Sequence, residues 1–345
     1  MANQTRENII RKRKIRRRRR RLAIFRLLFL LVVFGALVSA VVFVGYALFN
    51  WGSHIYYEYQ AMYQEYNKRQ EVKRGVIDPQ FDGYTNVLIL GLDDGAAADG
   101  TEGPHADTIM LMSMVNESGR VRFIMIPPDT WVTAPGGGES RVSALYPIGG
   151  APLMVRAISG LLGISIHQYI AIDMRTFAEL IDVLGGIDAY VEEDMNYDDP
   201  ASGLSIHIPK GYQHMDGDTA QKYLRYRGTG LGDVGRVQRQ QKFVKALYQR
   251  ALQLDTVPKL PAIADIFQHR MTTSAEIFDS AHLANVLRHM NSDTPVTMML
   301  PGEETDDGER IWIPNQNEID LRIRELFPVH EIETSNPEEA EEGLF

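Results

Sequence analysis

From Leu27 to Trp51 the chain runs 25 residues without a charge, dense in Leu, Val, Phe and Ala. About 20 such residues cross the hydrocarbon core of a bilayer as a helix, so the pattern predicts a membrane span over 27–51. Tyr46, Trp51, Tyr56 and Tyr57 fall where an interfacial aromatic belt forms. A secretory signal has an apolar region of only about 7–15 residues, and a cleavage-like Val38-Ser39-Ala40 would be buried inside the run. The run therefore reads as an uncleaved anchor. Residues 52–83 are rich in Tyr, Gln, Glu and Lys and read as a polar helical stalk, ended near Gly75 and Pro79.

Beyond Asn86 the pattern changes to short apolar runs between turn residues. Val87–Leu90, Thr108–Val115, Val121–Ile126, Tyr169–Ile172, Ile187–Val191 and Val296–Leu300 are predicted strands. Asn116–Gly119 has the composition of a hairpin turn. Helical spacing marks Ala151–Leu162, stopped by Gly163, and Thr176–Leu184, stopped by Gly185-Gly186. It also marks Asp216–Tyr223, Val234–Leu252 and Ser274–Met290, the last with Ser274 as its N-cap. Strands alternating with helices predict an α/β domain over 84–330, its sheet covered on both faces. Glu331–Phe345 carries six Glu and no basic residue, and reads as an acidic disordered tail.

Charge sharpens this division. The net charge is −9, yet residues 1–26 hold 12 basic side chains and one acid, a head of +11. The remainder must carry −9 − 11 = −20. The positive-inside rule then puts the head in the cytoplasm and the body outside a single-pass cell-membrane anchor. An arginine run such as Arg16–Arg21 also invites a nucleic-acid reading. Beside an apolar span it is better explained as a topology signal that grips anionic membrane lipid, at about 1 kcal/mol per basic residue. No nucleic-acid partner is expected. The chain has no Cys, which excludes disulfides, thiolate metal sites and a Cys nucleophile.

The acidic body keeps a set of residues suited to phosphate chemistry. Asp93 follows the first strand and Asp107 precedes the second, so two carboxylates at neighbouring strand ends can share a hard divalent cation. Taken singly, each Asp is as well explained as a loop cap. Arg225-Tyr226-Arg227 follows a helical segment. Residues two apart diverge on a helix and share a face only in extended chain, so joint action by Arg225 and Arg227 requires the helix to end first. With Asp233 as N-cap, Arg236, Arg239 and Gln240 stand at i, i+3 and i+4 on the first turns of the next helix. A helix N-terminus with forked guanidinium groups favours phosphate. A solvated basic face is the plain alternative. There is no P-loop, no G-x-S-x-G and no H-E-x-x-H, and the His residues show no ligand spacing.

These motifs, in order, resemble the LytR-CpsA-Psr family of cell-wall glycopolymer ligases. The resemblance rests on Gly91-Leu92-Asp93, Ala106-Asp107-Thr108-Ile109-Met110-Leu111, Ile126-Pro127-Pro128-Asp129-Thr130, Leu184-Gly185-Gly186-Ile187-Asp188, Arg225-Tyr226-Arg227 and Asp233-Val234-Gly235-Arg236-Val237-Gln238-Arg239-Gln240-Gln241. It covers roughly Asn86–Leu252, with an echo from Leu300-Pro301-Gly302 to Trp312-Ile313-Pro314. It implies an α/β/α sandwich with a central mixed sheet and an apolar pocket for a polyprenyl chain. It implies a phosphotransferase that moves a glycopolymer from a polyprenyl-pyrophosphate donor to peptidoglycan, aided by magnesium or manganese. Asp93 and Asp107 would be the metal-side and catalytic carboxylates. Arg225 and Arg227 would be catalytic cations. Arg141, Arg225, Arg227, Arg236, Arg239 and Gln240 would grip the pyrophosphate.

Three positions depart from the family pattern. Arg141 stands where Lys is usual, keeping the charge in a planar fork. His105 stands where Arg is usual, and at pH 7 an unperturbed imidazole is mostly neutral. Pro128 stands where Arg is usual and has no charge. A non-catalytic regulator that binds polyprenyl phosphates is the second expectation these departures raise.

Overall fold

The structure is a computed structural model that describes residues 37, 39–51, 53–54, 57, 79–93, 103–199, 204–226, 232–275, 280–305 and 310–328. The basic head, the first part of the span, most of the stalk, Arg227 and the acidic tail lie outside the described residues. The chain divides into two units, Met1–Gly75 and Val76–Phe345.

In the first unit the described part is helix α1 (Ser39–Trp51). Val41, Phe43, Leu48, Phe49 and Trp51 are all exposed on it. A helix that is apolar all round belongs in a core or a bilayer.

The second unit is built on a six-stranded sheet. In chain order its elements begin with β1 (Tyr84–Asp93), β2 (His105–Val115) and β3 (Val121–Ile126), then the short pair β4 (Trp131–Thr133) and β5 (Glu139–Arg141). Helix α2 (Leu145–Leu162), β6 (Gln168–Asp173) and α3 (Met174–Leu184) follow. Then come β7 (Ile187–Val191), β8 (Met195–Asp199), β9 (Leu204–Ile208), β10 (Gly211–Met215), α4 (Gly217–Arg225) and α5 (Gly232–Ala251). The rest is α6 (Leu260–His269), β11 (Thr272–Thr273), α7 (Ser280–His289), β12 (Val296–Met299), β13 (Gly302–Glu304), β14 (Trp312–Pro314) and α8 (Gln316–Leu326). The central order is β11-β6-β1-β2-β3-β12. The pairs β1–β2, β2–β3 and β6–β11 are antiparallel, and β1–β6 and β3–β12 are parallel, so the sheet is mixed.

The two-residue period of the strands sorts side chains onto two covered faces. Leu88, Leu90, Leu111, Ile124 and Ile126 pack on one face against Met154, Ile158 and Leu162 of α2 and Ile319 and Ile323 of α8. Met110, Phe123 and Met125 pack on the other against Val237, Val244 and Tyr248 of α5. This is the expected α/β/α sandwich. A satellite core joins Ile187 and Val191 of β7, Met215 of β10, Tyr223 of α4 and Phe243 of α5. The strand expected at Ile187–Val191 therefore forms, but it pairs only with β10, outside the central sheet.

Most helix limits follow the expected signals. The regular part of α2 starts after a kink at Gly149 and Gly150 and stops at Gly163, in the left-handed region with φ 65°. The turn expected at Asn116–Gly119 joins β2 to β3. Gly119 has φ +66°, and a Cβ there would lie 2.0 Å from the His289 carbonyl oxygen, so only glycine fits. Two expectations fail. Ser274 is not a helix cap: it extends the sheet edge, its N–H bonding to the Tyr169 carbonyl at 3.1 Å while its Oγ accepts from Tyr169 N–H at 2.9 Å. The helix it was expected to start is described only from Ser280. Asp233 is likewise not outside α5 but in its first turn, since the helix is described from Gly232.

Helix α4 owes its start to Asp216, whose carboxylate accepts the Thr219 N–H at 2.8 Å. The hydrogen bonds from Thr219, side chain first and then backbone, hold that carboxyl below the usual range. Its contribution is thus complete above the ordinary carboxylate value and is lost as pH falls through the lower folded value. Asp216→Ala should cost about 1 kcal/mol, read as a lower urea midpoint at neutral pH. The difference from wild type should shrink once the cap is protonated in both states.

Candidate functional site

The site grows from an irregularity where β1 and β2 run out together. Asp93 closes β1 and faces His105, which opens β2. The ladder pairs Gly91 with Thr108 but Leu92 with Ala106, so Asp107 is an extra residue on β2. Such a bulge bends the strand and re-aims its side chains. Gly91 makes room for it: a Cβ at Gly91 would lie 2.9 Å from Thr108 Cβ. Thr108 crosses above Gly91 and its Oγ1 accepts from Gln240 Nε2 at 3.0 Å. Both half-buried carboxylates, Asp93 and Asp107, thus stand where two adjoining strands leave the core.

The cations arrive on two helices. Arg225 is the last residue of α4, and its Nη2 lies 3.2 Å from Asp93 Oδ2. The side chains are 33% and 24% exposed, so the pair is neither sealed nor fully solvated. Tyr226 then leaves the helix with φ −59° and ψ 122°. The condition for Arg225 and Arg227 to act together is met up to that residue; Arg227 itself lies outside the described residues. On α5, Arg236 is 4% exposed and Gln240 8%. At i and i+4 they share one helical face. Buried guanidinium and amide groups are uncommon unless they are partnered. These two are set into the sheet-facing side of α5, between Val237 and Val244 of the second core.

Arg239 takes a different direction. Its Nη2 donates to the Tyr226 carbonyl oxygen, and its guanidinium carbon lies 5.3 Å from the centre of the Tyr226 ring. Burial pushes its pKa below the ordinary arginine value. Arg141, at the end of β5, has Nε 3.3 Å from Asp129 Oδ1. A cleft lined in part by Pro127, Asp129, Val237 and Trp312 connects that corner with α5.

The departures from the family pattern have definite places. His105 is 5% exposed, with Nδ1 2.9 Å from the Gly103 carbonyl oxygen. A carbonyl only accepts, so Nδ1 carries the hydrogen. Pro128 is buried, and its carbonyl accepts the Ser143 N–H at 3.1 Å. Neither residue carries a permanent charge. Thr108 and Tyr226 were missed as site residues from sequence. Both stand inside the motifs already singled out, but nothing in their spacing announces a polar bridge or a helix exit. Among the described residues there is no group of three or more His, Asp or Glu arranged to hold a metal.

Comparison with known proteins agrees with this arrangement. The model of the LytR_cpsA_psr family matches residues 51–326. The polyisoprenyl-teichoic acid–peptidoglycan teichoic acid transferase TagU of Oceanobacillus iheyensis is 29% identical over 243 residues, 68% of this chain and 72% of that one. The regulatory protein MsrR of Staphylococcus aureus is 28% identical over 195 residues, 56% of this chain and 57% of its own. Among solved structures, TagV of B. subtilis superposes with a TM-score of 0.59 at 23% identity, covering 70% of this chain and 96% of that one. TagT bound to LIIa-WTA gives 0.59 at 21%, covering 74% and 94%. At these identities the superpositions establish the fold.

The contact between Gly91 and Thr108 yields a test of the bulge. Gly91→Val overfills it and should cost about 1–3 kcal/mol. Hydrogen exchange should show faster loss of protection at the β1–β2 ends than in β3. A variant with wild-type protection there would mean that the bulge tolerates a side chain.

Proposed function

The chain belongs to the LytR_cpsA_psr family, and on that footing we propose that it is a membrane-anchored phosphotransferase. It would attach a glycopolymer from a polyprenyl-pyrophosphate donor to peptidoglycan. The observation that carries this reading is the Asp93–Arg225 pair at the β1–β2 bulge, flanked by the buried Arg236 and Gln240. Carboxylates and guanidinium groups meet there on rigid elements, as handling of a polyanionic diphosphate requires. The likeness to TagU supports a transfer between an anionic polymer and peptidoglycan. The apolar, exposed α1 and the basic head support a single-pass anchor with the N-terminus cytoplasmic.

The chemistry asks little covalent help of the protein. Phosphoryl transfer depends on alignment and on neutralising the non-bridging oxygens. The acceptor hydroxyl attacks the sugar-side phosphorus, and the bond from that phosphorus to the bridging oxygen breaks. Polyprenyl monophosphate leaves with that oxygen, and the hydroxyl proton passes to a carboxylate of the Asp93–Asp107 pair. Arg225, Arg227 and Arg236 balance the phosphate charge, and Gln240, held by Thr108, donates beside them. Arg141 serves from the far corner once the ligand competes with Asp129.

Two carboxylates at adjoining strand ends fit a hard divalent ion that completes its shell with phosphate oxygens and water. Asp93 and Asp107 would hold magnesium or manganese, which supplies further charge neutralisation. A second reading, a non-catalytic binder of polyprenyl phosphates, is favoured by the uncharged Pro128 and the buried His105 at positions where the family has cations.

The test incubates the full-length protein, in detergent, with a polyprenyl-pyrophosphate oligosaccharide and a peptidoglycan fragment, and follows products by mass spectrometry. A phosphodiester conjugate formed only with magnesium is expected. Arg227→Ala should lower its formation about 100- to 1,000-fold, and Asp107→Ala should remove both activity and its dependence on metal. Tight polyprenyl pyrophosphate binding without conjugate would select the second reading.

A further inference from the structure

We infer that Arg239 is a positioning residue, clamping the peptide between Tyr226 and Arg227 so that Arg225 and Arg227 are presented together. This rests on the pyrophosphate site just proposed, but it concerns a residue that does not itself reach the ligand.

Tyr226 is the first residue past α4 and is fixed at three points. Its N–H closes the last helical bond, to the Lys222 carbonyl at 3.0 Å. Its ring is buried in the satellite core with Tyr223 and Phe243. Its carbonyl accepts from Arg239 Nη2. That carbonyl shares a rigid peptide plane with the Arg227 nitrogen. Holding the oxygen therefore sets the direction in which Arg227 leaves the helix. Without the third point, ψ of Tyr226 is a soft torsion, and the following chain has no hydrogen-bonded helix to guide it.

Arginine suits this task in a way that lysine does not. One edge of the guanidinium donates to the carbonyl while the ring of the same residue, Tyr226, lies 5.3 Å from the guanidinium carbon. The planar fork can donate and stack at once, whereas an ammonium is a point donor. The Arg239 Nε is buried from solvent, so that edge is closed to an incoming anion. Its neighbour Gln240 is committed elsewhere, to Thr108 on β2. Two consecutive residues of α5 thus tie two different pieces of the site to one helix: the bulge through Gln240, the α4 exit through Arg239.

The experiment compares wild type, Arg239→Met, Arg239→Lys, Arg227→Ala and the Arg239→Met/Arg227→Ala double variant, all as full-length protein in detergent. Inorganic pyrophosphate binding is measured by titration calorimetry, and amide exchange over 222–231 by mass spectrometry. Arg239→Met should speed exchange at 226–228 and weaken pyrophosphate binding about tenfold, yet cause no further loss once Arg227 is already Ala. Arg239→Lys should behave more like Arg239→Met than like wild type. Arg239 would instead be a ligand if its loss added in full to that of Arg227→Ala, or if Lys restored affinity without restoring protection. Unchanged exchange in Arg239→Met would remove the clamp. If wild type binds no pyrophosphate, the proposed site fails, and the exchange data alone decide whether the clamp exists.

Discussion

Both faces of the β1–β2 ladder are buried, and this leaves its register no freedom. A slip of one residue would send Leu88, Leu90 and Leu111 from the α2 side to the α5 side and bring Met110 the other way. The pairing is therefore held hard along its length, and the misfit of one extra residue is forced to the end. That is where Asp107 sits, beside Asp93 and His105. The carboxylates stand together because the ladder cannot relax to separate them.

The rest of the site is arranged around this end by the two helices that cover it. Helix α5 packs Val237 and Val244 into the second core, which sets Arg236 and Gln240 at a fixed depth. Helix α4 packs Tyr223 into the satellite core and stops at Arg225, within reach of Asp93. The satellite sheet of β7 and β10 has no part in the central sheet, yet it supports α4 and so acts on the site through packing. Charge is assembled here by apolar burial: each cation is carried on an element whose position is decided by its hydrophobic face.

The departures from the family pattern fit the same logic. Pro128 is buried in a tight turn whose carbonyls at Pro127 and Pro128 are used by Thr130 and Ser143. Its corner has charge only from Asp129 and Arg141, which neutralise each other across 3.3 Å. The cationic weight of the site therefore falls on the α4–α5 side, where Arg225, Arg236 and Arg239 come from two helices joined through Tyr226. A ligand held mainly from one side is aligned by the rigidity of that side.

Sequence alone determined what depends on local pattern. The span, the charge asymmetry, five of the central strands, the hairpin at Asn116–Gly119 and the stop of α2 at Gly163 all follow from periodicity and turn chemistry. The motif order pointed to the family and to Asp93, Asp107, Arg225, Arg236 and Gln240 as a group. Tertiary structure decided the rest. Ser274 has the chemistry of a helix cap, but it pairs with Tyr169, 105 positions earlier in the chain, and no local signal weighs that partner. The bulge at Asp107 exists only against the register of β1. The use of Arg239 on Tyr226 exists only once α4 has ended and α5 has folded back beside it. Periodicity can assign a residue to a face, but the choice between ligand and brace depends on what a separate piece of chain places opposite it.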